Sequence, residues 1–312
     1  MKILWLCDKR IYQSKMSRVR FHSVDAIARH PEVELTRDGP GWGAFSTVKD
    51  SIQRNEPDFV MWYQPMDLQG YEEAQETGVP LILRYNEMHN IDGVRDEIRK
   101  TGSSIIICHL SNYINEFRRM FPSGIKFHHV PHCAEQMIFK PMDIEKRCDI
   151  MLIGHTDEHI YPLRYKFKQM IYRKMFDGYR TRILNHPGYT IKDVNDQVLH
   201  YAAKLNQAKI VLSDSSKYGY ALAKFVEAGM CGTCIFSDIP AERGKWYRQW
   251  VVEVRLSDDE KRIAGKIRKF LDTGMWKEWG ARGRELCYSE YTQEHYAQRF
   301  VDILKGVKSG EV

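Results

Sequence analysis

The chain has 312 residues, 43% hydrophobic and 28% charged, which is the balance of a packed globular protein with room for two domains. It contains no run of eighteen apolar residues, so a helical membrane span is not expected. The net charge of +6 suits a protein that meets phosphates, on a small donor, a nucleic acid or a membrane surface, and selects none of these by itself.

The chain opens with a short apolar run that meets charge at once in Asp8, Lys9 and Arg10, and reads as a first strand rather than a signal peptide. Further strands are predicted over 33–36, 59–63, 80–85, 104–108 and 125–130, with helices near 15–30, 46–54, 69–77, 92–101 and 111–120. Several of the strand segments are apolar throughout, as expected when helices cover both faces of a sheet. The alternation predicts a mainly parallel, doubly wound sheet over a first domain, 1–136. A segment with two prolines, Pro131 and Pro141, and little periodicity follows, and the interdomain linker is expected near 136–147. The alternation then restarts over a second domain, 148–290. Its strands are predicted at 149–153, 209–213, 233–237 and 250–254, and its helices at 162–176, 191–207, 220–230, 257–271 and 275–287, with a last helix at 292–306. Pro162 suits a first helical turn, and Ser257, Asp258, Asp259 and Glu260 form a capped, acidic helix start. The fold class expected is α/β, with two facing Rossmann-like doubly wound domains and a ligand cleft between them.

Seven scattered cysteines point to reduced thiols and a cytoplasmic setting. Cys231 and Cys234 have CxxC spacing without a second ligand pair, and read as small buried residues between a helix and a strand. His128, His129 and His132 lack a spaced third ligand or a carboxylate pair, so no metal site is expected.

The segment from Leu212 to Thr233 carries most of the chemical information: a strand, a polar loop, a helix and a Gly-marked turn. With the helix starting at Tyr220, the amides near Gly219 and Tyr220 lack intrahelical acceptors and suit a phosphate, and Gly219 permits close approach. Tyr220, Lys224 and Glu227 then share one face, where Glu227 can accept hydrogen bonds from ribose hydroxyls. The same spacing also describes a surface Lys–Glu pair at i,i+3.

Lys224-Phe225-Val226-Glu227-Ala228-Gly229-Met230-Cys231-Gly232-Thr233 resembles the donor-binding signature of GT-B glycosyltransferases, nearest to the CgeB-like and family-4 groups. Val130-Pro131-His132 with Phe139-Lys140-Pro141, Asp149 to His155 with Tyr161-Pro162-Leu163-Arg164, and Tyr291-Thr292 with Ala297 to Phe300 resemble other parts of that family in the same order. The resemblance covers most of 130–304 and implies a closing helix, 291–308, that returns to the first domain. It implies a hexosyltransferase-type enzyme that moves a sugar from a nucleotide-diphosphate sugar, without a bound metal or cofactor, to an acceptor hydroxyl; the acceptor stays open between a glycan, a small molecule and DNA, the last suggested by the charge and the small size. It assigns the donor to Gly154, His155, Arg164, Tyr218, Gly219, Tyr220, Lys224 and Glu227. Among these, Glu227 would hold the ribose, and Arg164 or Lys224 would neutralise the leaving diphosphate. Gly219 stands where many retaining members carry a first glutamate.

Arg84 to Asn90 follows a buried strand and should lie at the carboxyl edge of the first sheet, where Glu87 or His89 can take a proton from an acceptor hydroxyl; Asp8 holds a similar place after the first strand. The basic, aromatic-rich stretch from Arg164 to Arg182 has two readings, a nucleic-acid surface or the solvated face of an amphipathic helix. Two rival functions follow: sugar transfer to modified bases in DNA, and a non-catalytic nucleotide-sugar-binding protein.

Overall fold

A computed structural model describes residues 1–13, 15–43, 45–63, 71–86, 88–185 and 194–310. The chain divides into two compact units, one of Met1–Pro131 with Gln293–Val312 and the other of His132–Thr292.

In the first unit, strands β1 (Lys2–Leu6), β2 (Glu34–Asp38), β3 (Phe59–Tyr63), β4 (Leu81–Tyr85), β5 (Ile105–Cys108) and β6 (Lys126–His129) form a six-stranded sheet. The order is β2-β1-β3-β4-β5-β6 and every pairing is parallel. Helices α1 (Lys9–Gln13), α2 (Lys15–Arg29), α3 (Val48–Asn55), α4 (Tyr71–Glu76), α5 (Ile91–Thr101) and α6 (Ile114–Met120) connect the strands. The central strands β4 and β5 are buried throughout, and apart from Arg84 and Tyr85 their sequence is apolar.

In the second unit, β7 (Cys148–Ile153), β8 (Thr181–Leu184), β9 (Ala208–Leu212), β10 (Cys234–Ser237) and β11 (Val251–Glu253) form a parallel sheet in the order β11-β10-β9-β7-β8. It carries α7 (Pro162–Tyr172), α8 (Val194–Gln207), α9 (Ala223–Met230), α10 (Gly244–Tyr247), α11 (Glu260–Asp272) and α12 (Met275–Glu290). One face of the sheet packs Ile150, Leu152, Ile210, Leu212 and Phe236 against Phe167 of α7 and Ile263 and Ile267 of α11. The apolar faces of α7 and α11 supply these contacts, and apart from the buried Arg164 their polar residues are half-buried or exposed. Asp259 caps α11, its carboxylate accepting from the Arg262 amide at 3.1 Å. Asp149, at the start of β7, is clamped by Lys209 at 2.7 Å and Arg180 at 3.3 Å. Burial alone would raise its pKa, but these two cations outweigh it and hold the carboxyl at about 2.

Helix α13 (Gln293–Ser309) belongs to the first unit, where it buries Tyr296, Phe300, Val301 and Leu304 and pairs Lys305 with Glu32 and Lys308 with Asp58. The exposed pairs are individually weak, so the apolar stripe holds this helix.

The short helices α1 and α10 have no counterpart in the sequence reading, and three further elements differ from it. Helix α7 stops at Tyr172 because Lys174 adopts a left-handed backbone, φ 55°. The basic stretch that follows contains an edge strand, β8, which the sequence reading missed. Its short TRIL segment has two exposed residues and so lacks the apolar run that marks the buried strands. The third difference concerns α9 and bears on the site.

Candidate functional site

Ligands of open parallel sheets collect beyond the carboxyl ends of the strands. In the second unit two such loops meet there, Gly154–Tyr161 after β7 and Ser213–Leu222 after β9. Gly154 turns the first loop at φ 89°, and a Cβ placed on it would lie 2.7 Å from Lys224 Cε and 3.0 Å from an Arg164 guanidinium nitrogen. The positive φ favours glycine at this position, and a Cβ there would displace the tips of the two side chains. Gly154, Arg164 and Lys224 are therefore gathered at one point, from the β7 loop, the first turn of α7 and the first turn of α9.

Helix α9 begins at Ala223, three residues later than the sequence reading placed it. The amides of Gly219 and Tyr220 are not bare: they donate to Ser216 O at 3.2 Å and Ser215 O at 2.7 Å. Gly219, at φ 67°, and Ser216, at φ 63°, fold this segment into tight turns before the helix, so local turn bonds consume the amides that were expected to meet a phosphate. Tyr220 is not on the helix face either; it is buried and stacks on Tyr218 at 5.2 Å. The residues that begin the helix, Ala223 and Lys224, present the first-turn amides instead. Their N-cap, Leu222, offers no side-chain acceptor.

Lys224 and Glu227 stand one turn apart on α9 and are both half-buried, which overturns the solvated surface-pair reading. Burial lowers the pKa of the Lys224 ammonium, with Glu227 opposing the shift. Burial raises the pKa of the Glu227 carboxyl, with Lys224 and then the Tyr201 hydroxyl opposing it. Neither Lys224 Nζ nor the Glu227 carboxylate has an ion-pair partner within 4.0 Å among the described residues. The Tyr201 hydroxyl, buried on α8, has Glu227 as its polar neighbour. A desolvated cation and a desolvated carboxylate with open hydrogen-bonding capacity, above a glycine turn, are chemically suited to a group carrying both negative charge and hydroxyls.

Arg164 is placed otherwise. It is 1% exposed and paired with Asp214, itself 1% exposed, at 2.9 Å. Its guanidinium also donates to His155 O at 3.3 Å and Asp214 O at 3.1 Å and lies 4.1 Å from the Tyr161 ring centroid. His155 is exposed on the β7 loop. Asp214 and Tyr201 escaped the sequence reading, since an Asp in a polar loop and a Tyr in an amphipathic helix carry no spacing signal.

In the first unit, Asp8 follows β1 and is bound by the Arg10 side chain at 2.6 Å and by the Arg10 amide at 2.7 Å. The Arg10 bond is the first cause of its lowered pKa, so the group is a weak base. His89 follows β4, half-buried, next to Asn90, whose side chain caps α5. Glu87 lies outside the described residues. The basic stretch is largely satisfied from within: Lys166 donates to two carbonyls, Arg173 pairs with Glu260, and Arg180 with Asp149. A cavity of about 360 Å³ beside β11 and α11 is lined by Glu253, Arg255 and Asp258 among others. Both acids there already hold protein donors, Arg248 and Arg255 on Glu253 and the Arg255 amide on Asp258. None of the Gly154 cluster lines this cavity.

Residues 169–302 match the family model described as glycosyl transferase-like. No curated protein matches the chain. Among solved structures, a sucrose-phosphate synthase from Thermosynechococcus elongatus is 11% identical, with 99% of this chain and 100% of that chain covered and a TM-score of 0.65. HepE from Anabaena, in complex with UDP and glucose, is 12% identical over 98% of this chain and 100% of its own, TM-score 0.62. A Listeria monocytogenes protein assigned as a UDP-N-acetylglucosamine 2-epimerase is 10% identical over 99% and 97%, TM-score 0.61. The structural neighbours show the GT-B fold, and the match to the glycosyl transferase-like model lies mostly in the second unit.

Proposed function

We propose that this GT-B-fold chain, with its glycosyl transferase-like domain, transfers a sugar of the hexose type from a nucleotide-diphosphate sugar to an acceptor hydroxyl. The observation that carries the reading is the half-buried Lys224 ammonium over Gly154 at the first turn of α9, with Glu227 one turn further along. In this reading the diphosphate meets Lys224 and the first-turn amides of α9, and Glu227 accepts from the ribose hydroxyls. As the glycosidic bond to the diphosphate breaks, negative charge grows on the leaving phosphate, and Lys224 is already in place to stabilise it. No step requires a bound metal. The acceptor hydroxyl loses its proton to Glu87 or His89 of the first unit, or to the leaving phosphate.

UDP is the first nucleotide to try, because HepE is described in complex with UDP and glucose. A thermal-shift screen against UDP, GDP, ADP, CDP and dTDP is expected to show one nucleotide raising the Tm. A free ligand at a hundred times its Kd adds about 2.7 kcal/mol of stability. With the matching nucleotide sugar, release of the nucleotide should require an acceptor or water. Conversion of the sugar with no nucleotide released would point to the epimerase-like neighbour instead. If no nucleotide shifts the Tm, the proposal fails.

A further inference from the structure

The family resemblance directs Arg164 or Lys224 to the diphosphate, and Arg164 is held on several sides by buried protein groups. Asp214 touches it three ways: through Nε at 2.9 Å, through its own backbone carbonyl at 3.1 Å, and as acceptor for the Arg164 amide at 3.2 Å. That last bond matters for α7. Its N-cap, Tyr161, supplies no side-chain acceptor, and Pro162 has no amide to donate. The Asp214 carboxylate, arriving from the β9 loop, therefore serves as the cap of α7 and lies at the positive end of that helix. The same carboxylate accepts from the Ser216 amide at 3.2 Å. Asp238, after β10, fixes the next residue by accepting from the Ser215 amide at 2.7 Å. On the other side, Arg164 reaches His155 O at 3.3 Å, and a guanidinium nitrogen lies 3.0 Å from where a Cβ on Gly154 would be.

The geometry points to the Arg164–Asp214 pair as a positioning device for the donor site. It ties the Gly154–His155 turn, the start of α7 and the polar loop before α9 into one rigid unit, with Lys224 as the cation that faces the ligand. Both side chains are 1% exposed, so neither is placed to touch a diphosphate in this conformation. Hydrogen bonds from a ligand are directional, and a small displacement of one loop is enough to lose them. The pair thus acts on ligand affinity through geometry. This inference rests on the donor-site reading, and the test separates the two.

The experiment is a double-mutant cycle on the full chain: Arg164→Met, Asp214→Asn and both together, with UDP affinity measured by calorimetry and Tm measured in parallel. The double variant removes both charges and leaves no buried ion alone, so it folds even where a single variant does not. Each variant is expected to bind UDP about tenfold more weakly or worse, with the double variant no weaker than the singles, because the residues act as a unit. Two outcomes overturn the proposal while the donor reading stands. In one, Asp214→Asn leaves UDP binding intact or tighter while Arg164→Met removes it, making Arg164 a direct phosphate ligand. In the other, Tm falls and UDP affinity does not change, making the pair structural only. A wild-type chain that binds neither UDP nor GDP, ADP, CDP or dTDP would remove the donor reading and this proposal with it.

Discussion

The two units place their candidate chemistry on the same carboxyl edge of similar parallel sheets, but they organise it differently. In the second unit the groups converge: Gly154, Arg164, Asp214, Lys224 and Glu227 come from two loops and two helices, and the Arg164–Asp214 pair ties both loops to α7. In the first unit each described group has partners of its own. Asp8 is held by its neighbour Arg10, His89 lies beside a helix cap, and Arg84 is buried between Ser23 and His109 at 2.8 and 3.1 Å. The contrast has a physical basis. A diphosphate needs fixed charge and aligned amides, which only a rigid, desolvated network provides. An acceptor hydroxyl needs one base and a fitting surface, which many arrangements supply.

The largest effect should come from the less organised unit. The general base contributes about 10² to 10⁴ in rate, so exchange of Glu87 or of His89 to Ala should lower kcat for transfer by about that factor. Asp8→Asn should cost far less, because Arg10 already occupies that carboxylate. A collapse of transfer in Asp8→Asn with both others active would reverse the assignment.

Next comes Glu227→Ala, which should abolish the stabilisation of about 2.7 kcal/mol expected from UDP at a hundred times its Kd, and should weaken uridine as well as UDP. Lys224→Met sharpens the point. Loss of a charge-assisted hydrogen bond is worth about 2 kcal/mol, and it should appear against UDP but not against uridine, which has no phosphate. Equal losses for both ligands would place Lys224 away from the diphosphate.

The smallest effect tests the frame of the second unit and not its site. The folded Asp149 carboxyl titrates at about 2, below its ordinary 3.8. Its contribution is therefore present above pH 4 and fades as the pH falls toward 2. The loss is roughly 1–2 kcal/mol, allowing for the exposure of Arg180. Asp149→Asn should flatten that part of the stability–pH curve, and an unchanged slope would show that the pairs with Lys209 and Arg180 do not form in solution.

The sequence carried the architecture well because burial on both faces of a parallel sheet writes long apolar runs, as in Ile105–Cys108 and Cys148–Ile153. Edge strand β8 escaped because one row of neighbours leaves its residues half exposed. That Lys224 and Glu227 lie one turn apart on a helix and that Gly154 ends a strand was legible because helix spacing and a strand-ending glycine leave local marks. The start of α9 was misplaced because Tyr220 and Ala221 fit a helical pattern. What excludes them is non-local: the bond from the Ala241 amide to Gly219 O at 2.9 Å and the bonds that pin Ser215 to Asp238. Asp214 was illegible for the same reason, since its partner Arg164 lies fifty residues away.

The most direct test is amide hydrogen exchange with and without UDP. The account predicts slowed exchange at Ala223, Lys224 and the turn at Gly154–His155, and no change at Asp8 or along β11. Protection by UDP confined to any other part of the chain, with Ala223 and Lys224 exchanging as before, would contradict it.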